Sequence, residues 1–142
     1  MVRGPVLVTG GTGFIGRRVI EALLAREPCV SVRSFSLPGE SAPAAWGSRV
    51  ELLRGDVADA AAVSQAMRGV RTVIHLAALL GAGGYEEHRR ITVEGTRHLL
   101  EAALAEAARV VVVSSVAVYG EQVRTRVCGE ELGPGPHLGP YS

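Results

Sequence analysis

The sequence predicts an α/β fold built on a parallel sheet with helices on both faces, and three observations predict it. Short apolar, β-branched runs recur along the chain, segments with helical spacing lie between them, and a glycine-rich turn joins the first run to the first such segment. Strand and helix alternating at this spacing form βαβ units, whose right-handed crossovers build a parallel sheet. The runs are near-continuous rather than alternating, which suits strands covered on both faces.

The strand candidates, in order, are PVLVT (5–9), CVSV (29–32), RVELL (49–53), RTVIHL (71–76) and RVVVVS (109–114). The first helix candidate carries Ile15, Val19 and Leu23 at four-residue intervals, flanked by Ile20 and Leu24. A short alanine-rich helix is expected over 59–68. The longest helix is expected from Tyr85 to Ala107, with Thr96, Leu99, Leu100, Ala103 and Ala107 as its apolar stripe and EEHRR (86–90) on its solvated side. Two stretches break the rhythm. Residues 36–48, SLPGESAPAAWGS, read as a long surface loop, and from Gly120 onward periodicity gives way to Gly and Pro. The chain thus divides into a sheet domain, 1–119, and a Gly/Pro-rich segment, 120–142, which on composition alone reads as a disordered tail.

Size and charge narrow the function. The 142 residues make one domain's worth of chain, and 47% hydrophobic with 20% charged residues is a globular composition. Fifteen basic against fourteen acidic residues leave no basic stripe, so a nucleic-acid partner is not expected. No run approaches the roughly 18–20 apolar residues of a membrane span. The opening MVRGPVLVTGG is too short and too glycine-broken for a secretory signal. Cys29 and Cys128 lie far apart with no C-x-x-C pairing and read as reduced thiols of a cytoplasmic protein. His75, His88, His98 and His137 have no partners at ligand spacing, so no metal is expected.

The chemistry begins at TGGTGFIG (9–16). Gly11, Gly13 and Gly16 satisfy G-x-G-x-x-G, and Gly10, Gly13 and Gly16 satisfy the related G-x-x-G-x-x-G. Such glycines allow a tight turn, close backbone approach to a pyrophosphate and close packing of helix on strand. The helix that follows presents unpaired N–H groups to the anion. With a strand before it and a helix after it, the loop predicts a dinucleotide-binding Rossmann-type sheet, in which Thr12, Phe14 and Ile15 share the cofactor contact with the glycines.

VLVTGGTGFIG resembles the opening of the extended short-chain dehydrogenase/reductase family, the NAD(P)-dependent sugar epimerases and dehydratases and their relatives. Further motifs agree in order and spacing. GDVAD (55–59) resembles the family's G-D-[VIL] element, which implies that Asp56 and Val57 lie beside the adenine. VIHLAA (73–78) resembles its H-x-A-A stretch, placing Leu76, Ala77 and Ala78 along the cofactor. His75 reads better as a satisfied strand-end histidine than as a catalytic group. VEGTRHLLEAA (93–103) resembles the following helix, and VVVSSVAVYG (111–120) the fifth strand and the loop carrying the active-site Ser or Thr, here Ser115. The resemblance implies strand order 3-2-1-4-5 with a sixth to follow, a homodimer through the long helix, and a small-molecule substrate, commonly a nucleotide sugar.

Two positions depart from the family pattern. The second strand should end on an Asp or Glu for the ribose hydroxyls. An ungapped reading places Ser34 there, with Ser36 the other candidate, and no carboxylate is available. Arg33 lies beside Ser34, so NAD and NADP both stay open. Thr92 stands where the family has Asn, in a position near the cofactor.

The family's Ser/Thr loop is followed by P-Y-x-x-x-K, and here Pro140 and Tyr141 follow Ser115, with Tyr141 26 residues on. By resemblance Tyr141 is the catalytic tyrosine. The matching lysine would fall at position 145, past Ser142, so the chain reads as truncated before that lysine, the sixth strand and the substrate domain. A free phenol has a pKa of about 10; the family's lysine lowers it, so the 142 residues alone are expected to turn over little. The function implied is an NAD(P)-dependent epimerase, dehydratase or reductase acting at a carbinol carbon. The alternative is a non-catalytic NAD(P)-binding module for redox sensing or partner interaction.

Overall fold

A computed structural model describes residues 4–81, 83–136 and 139. Five strands, β1 (Val6–Thr9), β2 (Val32–Ser36), β3 (Val50–Arg54), β4 (Thr72–His75) and β5 (Arg109–Val112), form one parallel sheet in the order β3-β2-β1-β4-β5. That is the expected order.

Alternation along β1 explains the double burial. Leu7 points to one face, where it packs with Phe35, Val63, Met67, Val73, Leu99 and Ala103. Val6 and Val8 point to the other, with Ile20, Leu24, Val32, Trp46 and Val50. Helix α1 (Phe14–Arg26) covers the second face; α2 (Ala60–Met67) and α4 (Gly95–Ala105) pack together on the first. With both faces covered, the central strands can be apolar throughout. Asp59 caps α2, its Oδ1 accepting from the N–H groups of Ala61 and Ala62.

Four local expectations need correction. The second strand is Val32–Ser36, not 29–32. An apolar run was the wrong signal because this strand carries Arg33, Ser34 and Ser36, whose polar groups are satisfied inside the fold. Residues 36–48 are not simply a surface loop: Ala44–Arg49 form a 3-10 turn that buries Trp46 in the second core. On α1 the buried residues are Gly16, Ile20 and Leu24, whereas Ile15 is 53% exposed, because it sits at the helix start over the glycine loop. On α4 the buried stripe is Gly95, Leu99 and Ala103; Leu100 faces outward.

The long helix is a continuous rod of three parts: α3 (Tyr85–His88), a π-helical segment (Arg89–Glu94) and α4. Of the charged opening, Glu86, Glu87, Arg89 and Arg90 are solvated but His88 is buried. Ala107 lies beyond the helix in a left-handed conformation, φ 50°. There its N–H bonds Leu104 O while the Ala108 N–H bonds Ala103 O, the paired closure of a Schellman turn. Beyond β5, Val116–Tyr119 make a 3-10 turn and α5 spans Gln122–Thr125. The Gly135 N–H returns to Val118 O at 2.9 Å, so part of the Gly/Pro-rich segment folds back on that turn.

The neighbours Leu99 and Leu100 test which face of α4 is core. Leu99 is fully buried and Leu100 is 45% exposed. Leu99→Ala is expected to cost about 2–5 kcal/mol in urea unfolding and Leu100→Ala less than about 1 kcal/mol; equal costs would refute this placement.

Candidate functional site

The C-terminal ends of the strands gather at one edge of the sheet. Thr9 is in register with Phe35 on one side and His75 on the other, and His75 with Val112. In open α/β sheets this edge is where ligands bind.

The glycine loop leaves β1 here. Gly10 has φ 65°, a conformation that disfavours any side chain, and its N–H bonds Phe35 O at 2.8 Å. Gly16 has no room at all: an added Cβ would lie 2.2 Å from Gly10 O and 2.7 Å from Gly11 Cα. Helix α1 is therefore pressed onto the loop, with its N-cap Gly13 supplying no side-chain cap. Phe14, 88% exposed, stands clear of this cradle.

Ser34 is wholly buried beneath Gly11, where an added Cβ would meet its Oγ at 2.3 Å. Ser36, at the end of β2, is the serine that reaches the loop: its Oγ accepts from the Thr12 N–H at 3.3 Å. Arg33 points to the opposite face. Its Nε donates to Glu51 at 2.8 Å and its Nη1 to Ala66 O and Arg68 O, at 3.3 and 2.6 Å.

A buried relay links the loop to the next crossover. Thr9 Oγ1 accepts from the N–H groups of Leu76 and Ala77 and lies 2.7 Å from His75 Nδ1. With two donors already upon it, Thr9 gives its own proton to Nδ1. His75 Nε2 is then the protonated nitrogen and donates to Thr96 Oγ1 at 3.0 Å, and Thr96 donates to Thr92 O at 2.5 Å. Thr92 Oγ1 accepts from the Leu79 N–H at 3.1 Å. Burial lowers the His75 pKa to about 4, and the relay has a place only for the neutral ring.

A cleft of ≈ 230 Å³ opens beside this relay, lined by His75, Ala77, Ala78, Thr92, Thr96, Val112, Val113, Ser114, Ser115 and Val118. It meets the glycine loop at Ala77, whose N lies 3.2 Å from where a Gly10 Cβ would be. Ser115 Oγ accepts from the Ala117 N–H at 3.2 Å, which fixes the hydroxyl and leaves its proton to donate. Of the residues singled out in the sequence, Ala77, Ala78, Thr92 and Ser115 thus share one cleft, contiguous with Gly10. Leu76 is half-buried against the other core.

Asp56 and Val57 lie apart from the cleft. Asp56 Oδ1 accepts from the Ala58 N–H at 2.9 Å, as an Asp opening a turn does, and Oδ2 pairs with Arg90 at 3.2 Å. Val57 is 5% exposed and packs on Gly95, where a Cβ would meet its Cγ2 at 2.8 Å. Tyr141 and Pro140 lie outside the described residues. Among the described residues no group of three or more His, Cys, Asp or Glu could hold a metal, and no helix is long and apolar enough to cross a membrane.

Sequence reasoning gave no site role to three residues: Thr9, Thr96 (read as part of the apolar stripe of the long helix, but hydrogen-bonded to His75 and Thr92) and Glu40. Thr9 and Thr96 belong to quoted motifs, and the i, i+4 pair Thr92–Thr96 was a readable signal. Glu40 had none: it comes from the loop after β2, and its Oε2 receives the Thr12 hydroxyl.

Residues 6–142 match the NAD dependent epimerase/dehydratase family. The chain is 36% identical over 117 residues to ceramide reductase of Caulobacter vibrioides, covering 81% of this chain and 36% of that protein. It is 36% identical over 126 residues to human 3 beta-hydroxysteroid dehydrogenase type 7, covering 83% and 34% respectively. The chain thus spans about a third of the length of these curated relatives. Among solved structures, UDP-glucose 4-epimerase of Thermus thermophilus in complex with NAD superposes with a TM-score of 0.82 at 30% identity, covering 96% of this chain and 46% of that one.

The relay predicts a pH dependence. Unfolded, His75 titrates near 6.5; folded, near 4. Between those values the unfolded chain binds a proton that the folded chain refuses, so stability present above pH 6.5 is lost as pH falls toward 4, by about 3 kcal/mol. Thermal melts stepped from pH 7 to pH 4.5 should show a steeper loss for the wild type than for His75→Gln. Parallel slopes would remove His75 as the cause.

Proposed function

The chain belongs to the NAD dependent epimerase/dehydratase family, and on that premise we propose that it is the cofactor-binding part of an NAD- or NADP-dependent epimerase, dehydratase or reductase acting at a carbinol carbon. The observation that carries this reading is continuity: the glycine loop abuts Ala77, and the cleft lined by Ala77 also holds Ser115.

The residues fit a dinucleotide. The uncapped start of α1 offers N–H groups to a pyrophosphate over Gly13, and the packing at Gly16 keeps the backbone close to it. The end of β2 would receive the adenosine ribose, and Asp56, with Val57 beneath, would border the adenine. Ala77, Ala78 and Thr92 would line the nicotinamide half. When bound, the cofactor supplies hydride exchange with the substrate carbon. Ser115, its oxygen held by the Ala117 N–H, would donate to the reacting oxygen. Tyr141 would exchange the proton.

The substrate we favour is a nucleotide sugar, the class named for the Thermus epimerase; ceramide and steroid, named for the other two relatives, share only the hydroxyl-bearing carbon. Cys29 and Cys128 are free thiols, which supports a cytoplasmic setting. The outward Leu100 and Leu104 support a homodimer through α4.

Two variants of the full-length protein test the reading. NADH or NADPH should bind the wild type, as read by titration calorimetry. Gly13→Ala adds a methyl group at a non-strained, exposed position whose nearest neighbour is Gly10 O at 3.2 Å, so it should fold yet bind at least about tenfold more weakly. Failure of the wild type to bind either dinucleotide would overturn the proposal. Ser115→Ala should keep binding and lose turnover by about 10²-fold. Unchanged turnover would remove Ser115 from the chemistry, and a wild type that binds without turning over any carbinol would favour the non-catalytic module.

A further inference from the structure

The end of β2 lacks the carboxylate that would receive the adenosine ribose hydroxyls, and the structure supplies one from elsewhere. The loop after β2 turns at Gly39, φ 87°, and brings the Glu40 carboxylate onto the Thr12 hydroxyl in the middle of the glycine loop. Thr12 is the same residue whose N–H reaches Ser36 Oγ. Through Thr12, Glu40 therefore stands beside the strand end where the ribose would lie. The loop is pinned there a second time by Arg17, whose Nε donates to Thr12 O at 2.6 Å and Nη2 to Ser41 O at 3.0 Å.

The cations around this point are disposed differently. Arg33 is on the far face, held by Glu51 and the last carbonyls of α2. Arg17 commits two of its nitrogens to backbone carbonyls. Arg54, in register with Ser36 on β3, is the basic residue at the same strand ends and is exposed. A vicinal diol needs acceptors for two hydroxyls, and a carboxylate supplies them as charge-assisted bonds. A 2′-phosphate at the same place would bring a second anion against Glu40, which Coulomb repulsion opposes.

We propose that Glu40, delivered by the loop after β2 and seated on Thr12, is the acceptor of the adenosine ribose hydroxyls and makes the site select NAD over NADP. This rests on the dinucleotide reading of the glycine loop.

The test compares NADH and NADPH binding to the full-length protein by calorimetry, for the wild type, Glu40→Gln and Arg54→Ala. The wild type should bind NADH at least tenfold more tightly than NADPH. Glu40→Gln should reduce that ratio to threefold or less while its melting temperature stays unchanged, since Glu40 is exposed. Arg54→Ala should leave the preference for NADH in place. Loss of a mere loop tie would weaken both dinucleotides alike and keep the ratio, which would overturn the proposal. So would a wild type that prefers NADPH through Arg54, or one that binds both equally. If neither dinucleotide binds, the cofactor reading itself falls; if both bind with a ratio that Glu40→Gln does not move, only the selectivity role falls.

Discussion

The edge of the sheet depends on one close approach. Gly16, in the first turn of α1, lies against Gly10 and Gly11 so tightly that a single methyl group would strike main-chain atoms at 2.2 and 2.7 Å. Backbone cannot give way as a flexible side chain does, so this contact fixes the angle at which α1 leaves the loop. It also fixes where Ile20 and Leu24 enter the second core, and where the uncapped N–H groups of the helix point. Gly11 extends the constraint downward onto Ser34. The cradle is thus a consequence of helix–sheet packing, and its uncapped helix start is the feature left for a ligand to satisfy.

The second constraint runs sideways, from β1 to β4. Thr9 and His75 face each other in register, and their hydrogen bond joins the start of the glycine loop to the turn carrying Leu76 and Ala77. From His75 the relay passes through Thr96 to Thr92, at the π-helical segment of the long helix. Such segments widen a helix by one residue and occur often where function needs a re-aimed backbone. Here Thr92 is held from below by Thr96 while its hydroxyl receives the Leu79 N–H, so the loop beside the cleft is tied to both the helix and the sheet. A buried polar chain of this kind is stable only when every member is satisfied, and this one is, with a neutral imidazole at its centre.

Much of this was legible in the sequence, and the reasons for the rest are physical. Apolar runs located β1 and β4, whose aliphatic side chains are buried in the centre of the sheet, and also the edge strands β3 and β5, although there Leu52, Val111 and Val112 are exposed. Polar β2 was placed too early because Arg33, Ser34 and Ser36 are satisfied by partners distant in sequence, such as Glu51 and Thr12. Trp46 was hidden in a stretch rich in Pro, Gly and Ser, whose composition says loop while one side chain says core. The glycine loop was readable because its spacing between a strand and a helix is tied to geometry, whereas the cleft alanines and Ser115 were readable only through motifs that resemble the family's. Glu40 was not, since nothing in a loop's composition tells where its turn will deliver a side chain.

That last contrast bears on how such a site evolves its preferences. A residue on the strand end is committed to the sheet: Ser34 is locked beneath Gly11, and any larger side chain there would displace the glycine loop itself. A residue on the loop after β2 is free of that demand. Gly39 meets nothing within 4 Å of an added Cβ, and Glu40 is exposed. Charge beside the ribose can therefore change through the loop without repacking the core, whereas the same change at Ser34 would disturb the close approach on which the edge depends. The division of labour follows from burial: the strand end supplies shape, and the loop supplies charge.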